Sequence, residues 1–86
     1  MVPQHVPYER LKTLTARRLV SALQRDGFAL DRQSGAHRHY LHPDGRRVTV
    51  SFHRPGQTFA LKTLKAIIEL QARWNEDDLR RLALLK

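Results

Sequence analysis

Apolar residues recur at helical spacing behind Thr15, with Leu19, Val20 and Leu23 on one face, until the run ends at Asp26 and Gly27. A threonine hydroxyl suits a helix N-cap and a glycine suits the left-handed position that closes a helix, so the pattern predicts a first helix over residues 16–25. From Phe28 the period changes to two, with Phe28 and Leu30 on one side and Ala29 and Asp31 on the other. That alternation describes a short half-buried strand, which Ser34 and Gly35 break. Two more strands, over residues 37–42 and 46–53, flank Pro43, Asp44 and Gly45, a strong hairpin signal.

In the third strand Val48, Val50 and Phe52 alternate with Arg47, Thr49, Ser51 and His53, so one face belongs to a core and the other to water. A three-residue loop with Gly45 left-handed pairs His42 with Arg46, Tyr40 with Val48 and His37 with Ser51. Tyr40 then points inward, and His37 and His39 outward. A one-residue slip would set His37 and His39 opposite valines and expel Tyr40, which is the poorer burial. Beyond the polar turn Arg54–Gln57, the residues Leu61, Leu64, Ile67, Ile68 and Ala72 trace the apolar face of a second helix over residues 60–73, with Lys62, Lys65 and Glu69 opposite. Asn75 is a good N-cap for a short third helix whose first turn holds Glu76, Asp77 and Asp78 and whose apolar stripe is Leu79, Leu82 and Leu85. The expected architecture is α+β, a three-stranded antiparallel sheet packed by two helices in the order α-β-β-β-α, with a short extra C-terminal helix. Residues 1–14 form an N-terminal extension, 15–73 the domain and 74–86 its helical extension; residues 1–9, with Pro3 and Pro7, are the one candidate stretch for disorder.

A chain of 86 residues holds one modest core. The absence of cysteine excludes a disulfide framework, a thiolate zinc site and a cysteine nucleophile. No apolar run reaches signal-peptide or membrane-spanning length, so the expected compartment is the cytoplasm and no membrane partner is expected. Sixteen Lys and Arg against eight Asp and Glu give a net charge of +8. Such a surplus serves solubility or a phosphate-rich partner. Because the acids crowd at Glu76–Asp78, residues 17–65 are more basic than the average, which favours nucleic acid.

Four of the five histidines, at 37, 39, 42 and 53, lie in the sheet region. Imidazole moves protons near neutral pH, and RNA can be cut without a metal because its 2′-hydroxyl is an internal nucleophile once a base removes its proton. His37 is the candidate base: it follows the Ser34-Gly35-Ala36 bend, where the backbone lies open to a phosphate, with Arg32, Arg38 and Arg47 as nearby cations. The alternative for an outward histidine is an ordinary polar surface residue. His37 and His39 could instead share a zinc ion with His53 reaching across, but no acidic ligand is close in sequence and alternation sends His42 to the opposite face; no metal and no cofactor are expected. Lys62 and Lys65, with the positive helix end near Ala60, could grip a phosphate backbone or simply be solvated. Tyr8, Phe59 and Trp74 sit at element ends, where packing is commoner than base stacking.

The run Asp26-Gly27-Phe28, Arg32-Gln33-Ser34-Gly35-Ala36-His37 and His42-Pro43-Asp44-Gly45-Arg46-Arg47-Val48 resembles the HicA mRNA interferase toxins, and the likeness continues through Pro55-Gly56, Thr63-Leu64 and the isoleucines of the second helix, over residues 15–70. The resemblance implies a fold like that of double-stranded-RNA-binding domains, an endoribonuclease that cleaves mRNA with one histidine after a glycine, here His37, and a HicB-type antitoxin that covers the active face in a hetero-oligomer. The RNA contacts expected around His37 are Arg32, Gly35, Arg38, His39, Arg47, Lys62 and Lys65. Ala36 stands where the family's motif usually has serine, and Ala60-Leu61 where relatives often carry lysine and proline. Residues 74–86 extend past the minimal unit; their leucines could pack on the core, pair two copies or receive antitoxin. Two other readings remain open: a non-catalytic double-stranded-RNA-binding module with the same basic face, and a DNA-binding regulator, which lacks helix-turn-helix spacing here.

Overall fold

A computed structural model of the chain describes residues 6–85. Helix α1 spans Ala16–Asp26 and buries Ala16, Leu19, Ala22 and Leu23. Its first amides are all satisfied. Thr15 Oγ1 accepts from the Arg18 amide at 3.3 Å, while the Ala16 and Arg17 amides donate to the carbonyls of Gln57 (2.8 Å) and Pro55 (2.9 Å). The Arg54–Gln57 turn is thereby anchored to the start of the helix, where unpaired N–H groups would otherwise face solvent. At the far end Gly27 adopts φ +108° and its amide returns to the Gln24 and Leu23 carbonyls.

Strands β1 (Ala29–Ser34), β2 (His37–Leu41) and β3 (Arg47–Ser51) form one antiparallel sheet in that spatial order. Tyr40 lies opposite Val48 and His37 opposite Ser51, the register that turn chemistry and core alternation both indicate. The His42 amide donates to the Arg46 carbonyl at 2.9 Å, and Gly45 has φ +97°. Tyr40, Val48 and Val50, with Phe28 and Phe52 beyond the strand ends, belong to one buried cluster with the helices. β1 departs from the half-buried pattern: all six residues are exposed and Leu30 is 50% accessible. β1 is an edge strand, and a register shift between Leu30 and Arg32 breaks its alternation. Only Phe28, just ahead of the strand, reaches the core.

Helix α2 opens as an α-helix over Leu61–Lys65 and continues as a wider π-helix over Ala66–Gln71, where one regular helix over 60–73 was expected. Ile67 O accepts from the Ala72 amide and Ile68 O from that of Trp74, both at 2.8 Å, and Arg73 then takes a left-handed φ of +57°. Leu64, Ile67, Ile68 and Ala72 are buried, but Leu61 is 53% exposed. It stands at the first helical residue, overhanging the core, and lines a shallow groove with Tyr8, Phe59 and Leu64.

Helix α3 spans Glu76–Arg81 behind a reciprocal capping box between Asn75 and Asp78. Leu79, Leu82, Leu84 and Leu85 are all buried. Arg25 donates to the Leu82 carbonyl at 2.8 Å and Arg18 to that of Ala83 at 3.2 Å. The leucine stripe of the C-terminal segment is therefore spent on the core, against α1.

Residues 6–14 are built into the fold too, including the described part of the candidate stretch 1–9. Tyr8–Leu11 makes a 3-10 turn, Leu11 and Leu14 enter the core, and the Tyr8 hydroxyl donates to the Glu69 carboxylate. Burial first, and the Glu69 charge with it, push the Tyr8 phenol well above its ordinary range. Residues 1–5, the rest of that stretch, lie outside the described residues. No described helix is long and apolar enough to cross a membrane.

Candidate functional site

The helices occupy one side of the sheet and leave the other open. Strand alternation puts His37, His39 and Leu41 of β2 and Arg47, Thr49 and Ser51 of β3 on that open side, and none of the six is buried. β1 adds Ser34 opposite His37 and Arg32 opposite His39. The open face thus carries cross-strand rows: Ser34, His37 and Ser51 in one, Arg32, His39 and Thr49 in the next, and Arg47 beyond them beside Leu41.

His37 is the first residue of β2 and is exposed. Its side chain has no hydrogen-bond, ion-pair or ring partner among the described residues. Gly35, with φ +56°, and Ala36 form the two-residue turn before it, and a side chain at Gly35 would meet nothing within 4 Å. Ala36 is held through its backbone, its carbonyl accepting from the Phe52 amide at 3.2 Å. His39 is less exposed, and its Nδ1 lies 3.0 Å from Thr49 Oγ1. Arg47 is largely accessible, its only ion pair among the described residues a long 3.9 Å approach to Asp31.

The expected RNA-contact set is divided by this geometry. Arg32, Gly35, His39 and Arg47 share the open side or its rim with His37. Arg38 points the other way, beside Tyr40: its guanidinium lies 4.1 Å from the Phe52 ring centroid, and its Nε is buried without a hydrogen-bond partner among the described residues. Burial raises the Tyr40 phenol pKa, with the Arg38 charge and hydrogen bond opposing. Lys62 and Lys65 belong to α2, in the helical layer. Lys65 Nζ sits 5.4 Å from the Tyr8 ring centroid, and no hydrogen bond, ion pair or ring contact among the described residues ties either lysine to the open face.

His42 leaves the histidine group altogether. Its Nε2 lies 2.7 Å from the Asp26 carbonyl, which can only accept, and its Nδ1 receives the Asp44 amide at 3.0 Å. Nδ1 also lies 3.0 Å from Asp44 Oδ1, and the ring packs edge-on against Phe28 with centroids 5.0 Å apart. His53 is exposed past the end of β3. No three His, Asp or Glu side chains among the described residues converge as a metal site requires.

Two features of the site were not singled out in the sequence. Thr49, which steadies His39, follows from the hairpin register, since 39 and 49 are opposite. Its own amide, on the free edge of β3, donates to Gln71 Oε1 at 2.8 Å, and the wide turn of α2 that carries Gln71 leaves no local signature.

The chain is a basic α+β domain whose open sheet face, among the described residues, bears two histidines and accessible arginines. Residues 16–72 match the family described as the HicA toxin of bacterial toxin-antitoxin systems. The match covers more than half of the chain, which belongs to that family and is the toxin of a toxin-antitoxin system. Comparison with individually curated proteins gave no match.

Proposed function

We propose that this toxin is a metal-independent endoribonuclease that cleaves mRNA through His37, and that a HicB-type antitoxin neutralises it by covering the open sheet face. The observation that carries the reading is the condition of His37: exposed, without a partner among the described residues, beside an open glycine turn and on the face that bears Arg32 and Arg47. An imidazole in this setting can take the proton of a ribose 2′-hydroxyl as that oxygen attacks the adjacent phosphorus. Arg32 and Arg47 supply charge to the phosphate oxygens, and the Gly35 backbone lets the strand approach. This reading requires the cytoplasm, where mRNA is found.

The test is cleavage of labelled RNA by the purified chain, with and without EDTA. His37→Ala should lower the rate by about 10²–10⁴-fold, the usual worth of a positioned base, while RNA affinity and melting temperature stay close to wild type. EDTA should change nothing. RNA binding without cleavage by the wild-type chain would favour the non-catalytic module, and undiminished cleavage by His37→Ala would remove the histidine from the mechanism.

A further inference from the structure

We infer that His39 is the second proton-handling group of the same site, the general acid that protonates the leaving 5′-oxygen, with Thr49 as its positioning residue. The inference rests on the endoribonuclease reading and supplies what it lacks, since a base alone leaves the departing alkoxide without a proton.

His37 and His39 project from one strand to one face, two residues and so about 7 Å apart. That spacing admits a phosphodiester between two imidazoles, one at the attacking oxygen and one at the leaving oxygen. The two rings differ in how they are held. His37 has no partner among the described residues, while His39 is half-buried and tethered at Nδ1 to Thr49 Oγ1, 3.0 Å away. Thr49 is itself fixed, through its amide, to Gln71 Oε1 of α2. An imidazole tied at Nδ1 offers Nε2 to the substrate.

The partner also suits an acid. A hydroxyl both donates and accepts, so Thr49 can satisfy Nδ1 whether or not that nitrogen carries a proton, and the ring can cycle between cation and neutral form without losing its tether. A carbonyl in that place would serve only Nδ1–H. The groups facing His39 are Arg32 from β1, His37 on its own strand and Thr49 from β3, with the Arg47 and Asp31 pair further along the face; the helices lie behind the sheet. Arg32, directly opposite, is placed to hold the phosphate between the rings.

In the step itself His37 takes the 2′-hydroxyl proton, the bond from the 2′-oxygen to phosphorus forms, and the bond from phosphorus to the 5′-oxygen breaks. His39 Nε2–H passes its proton to that 5′-oxygen and keeps its other proton on Nδ1, donated to Thr49. The products are a 2′,3′-cyclic phosphate and a 5′-hydroxyl, with no water consumed.

The experiment compares an RNA oligonucleotide with the same sequence carrying one 5′-bridging phosphorothiolate, whose sulfur leaves without a proton. On ordinary RNA, His39→Ala and His39→Gln should each lose about 10²–10⁴-fold and the descending alkaline limb of the rate profile. On the phosphorothiolate both should run within about tenfold of wild type. Thr49→Val should show the same leaving-group dependence with a smaller loss. If the His39 variants are equally slow on both substrates, or undiminished on ordinary RNA, His39 is not the acid. His37→Ala should be slow on both; full activity there would remove His37 as the base, whereas no cleavage of either substrate by the wild-type chain would overturn the endoribonuclease reading itself, and both results are separable from the His39 outcome.

Discussion

Gly27 and Gly35 both hold positive φ angles, and they differ in what surrounds them. At Gly35 an added methyl meets open space, so substitution costs backbone strain alone, about 1–2 kcal/mol. At Gly27 the methyl would stand 2.8 Å from His42 Nε2, the atom bonded to the Asp26 carbonyl. Gly27→Ala should therefore add to its strain the loss of that hydrogen bond, for about 2–3 kcal/mol in all. In a His42→Ala background the steric part has nothing to displace, and the cost should fall to the strain alone. Urea melts of the four proteins check this; additive effects would show that the two side chains do not compete for space. The same pair explains why His42 is not part of the open face: it pins the hairpin to the end of α1.

At the level of elements, the hairpin was legible because two independent constraints agree, the Pro43-Asp44-Gly45 turn and the alternation Val48, Val50, Phe52. The outward placement of His37 and His39 follows from that register, as does the inward placement of Arg38, which counting basic residues had grouped with them. β1 was misjudged because Leu30 and Phe28 look alike in a period-two pattern, and an edge strand with a shifted register need not bury what its sequence offers. Leu61 failed for a related reason: helical spacing assigns it to the apolar face, but the first residue of α2 lies past the core it would cover. The wide turn of α2 depends on tertiary contacts, and nothing local announces it. The C-terminal leucines had three open roles in the sequence, and burial selects packing. Leu79, fully buried in α3, is the sharpest probe. Leu79→Ala should cost about 2–5 kcal/mol and lower the melting temperature by at least about 8 °C. A variant melting like wild type would mean that α3 detaches from the core without consequence.

For the whole molecule, the net charge of +8 is not spread evenly, because the acids are largely taken up by particular bases. Glu76 pairs with Arg80 at 2.6 Å and Asp78 with Arg81 at 3.1 Å within α3, and Asp44 pairs with Arg46 at 2.8 Å at the hairpin. On the open face, among the described residues, Asp31 approaches Arg47 at 3.9 Å, and Arg32 has no ion pair. One acid ties the fold together. The Asp26 side chain is only 8% exposed and receives Trp74 Nε1 at 2.9 Å, Arg81 at 2.9 Å and Arg46 at 3.2 Å; Arg46 also donates to the Ala72 carbonyl at 2.5 Å. The ends of α1 and α2, the hairpin and α3 meet there, from four stretches of sequence that no local pattern connects.

Burial alone would raise the Asp26 pKa, but the hydrogen bonds from Trp74 and Arg81 and the charges of Arg46 and Arg81 outweigh it, and the carboxyl sits below its ordinary value. A group whose pKa is lowered on folding stabilises the folded state fully above its unfolded pKa, about 3.9 for aspartate. That contribution is lost as pH falls below this value and through the lower folded one. The urea midpoint should therefore drop between about pH 5 and pH 2. Asp44, lowered by its bonds to Arg46, acts in the same direction, so the wild-type slope alone does not isolate Asp26. Asp26→Asn does: it should be less stable than wild type at pH 7, and the gap should narrow as pH falls through the lowered folded pKa and the native carboxyl takes up its proton. A gap that stays constant across the titration would mean that the contacts of Asp26 act through shape and not through its charge.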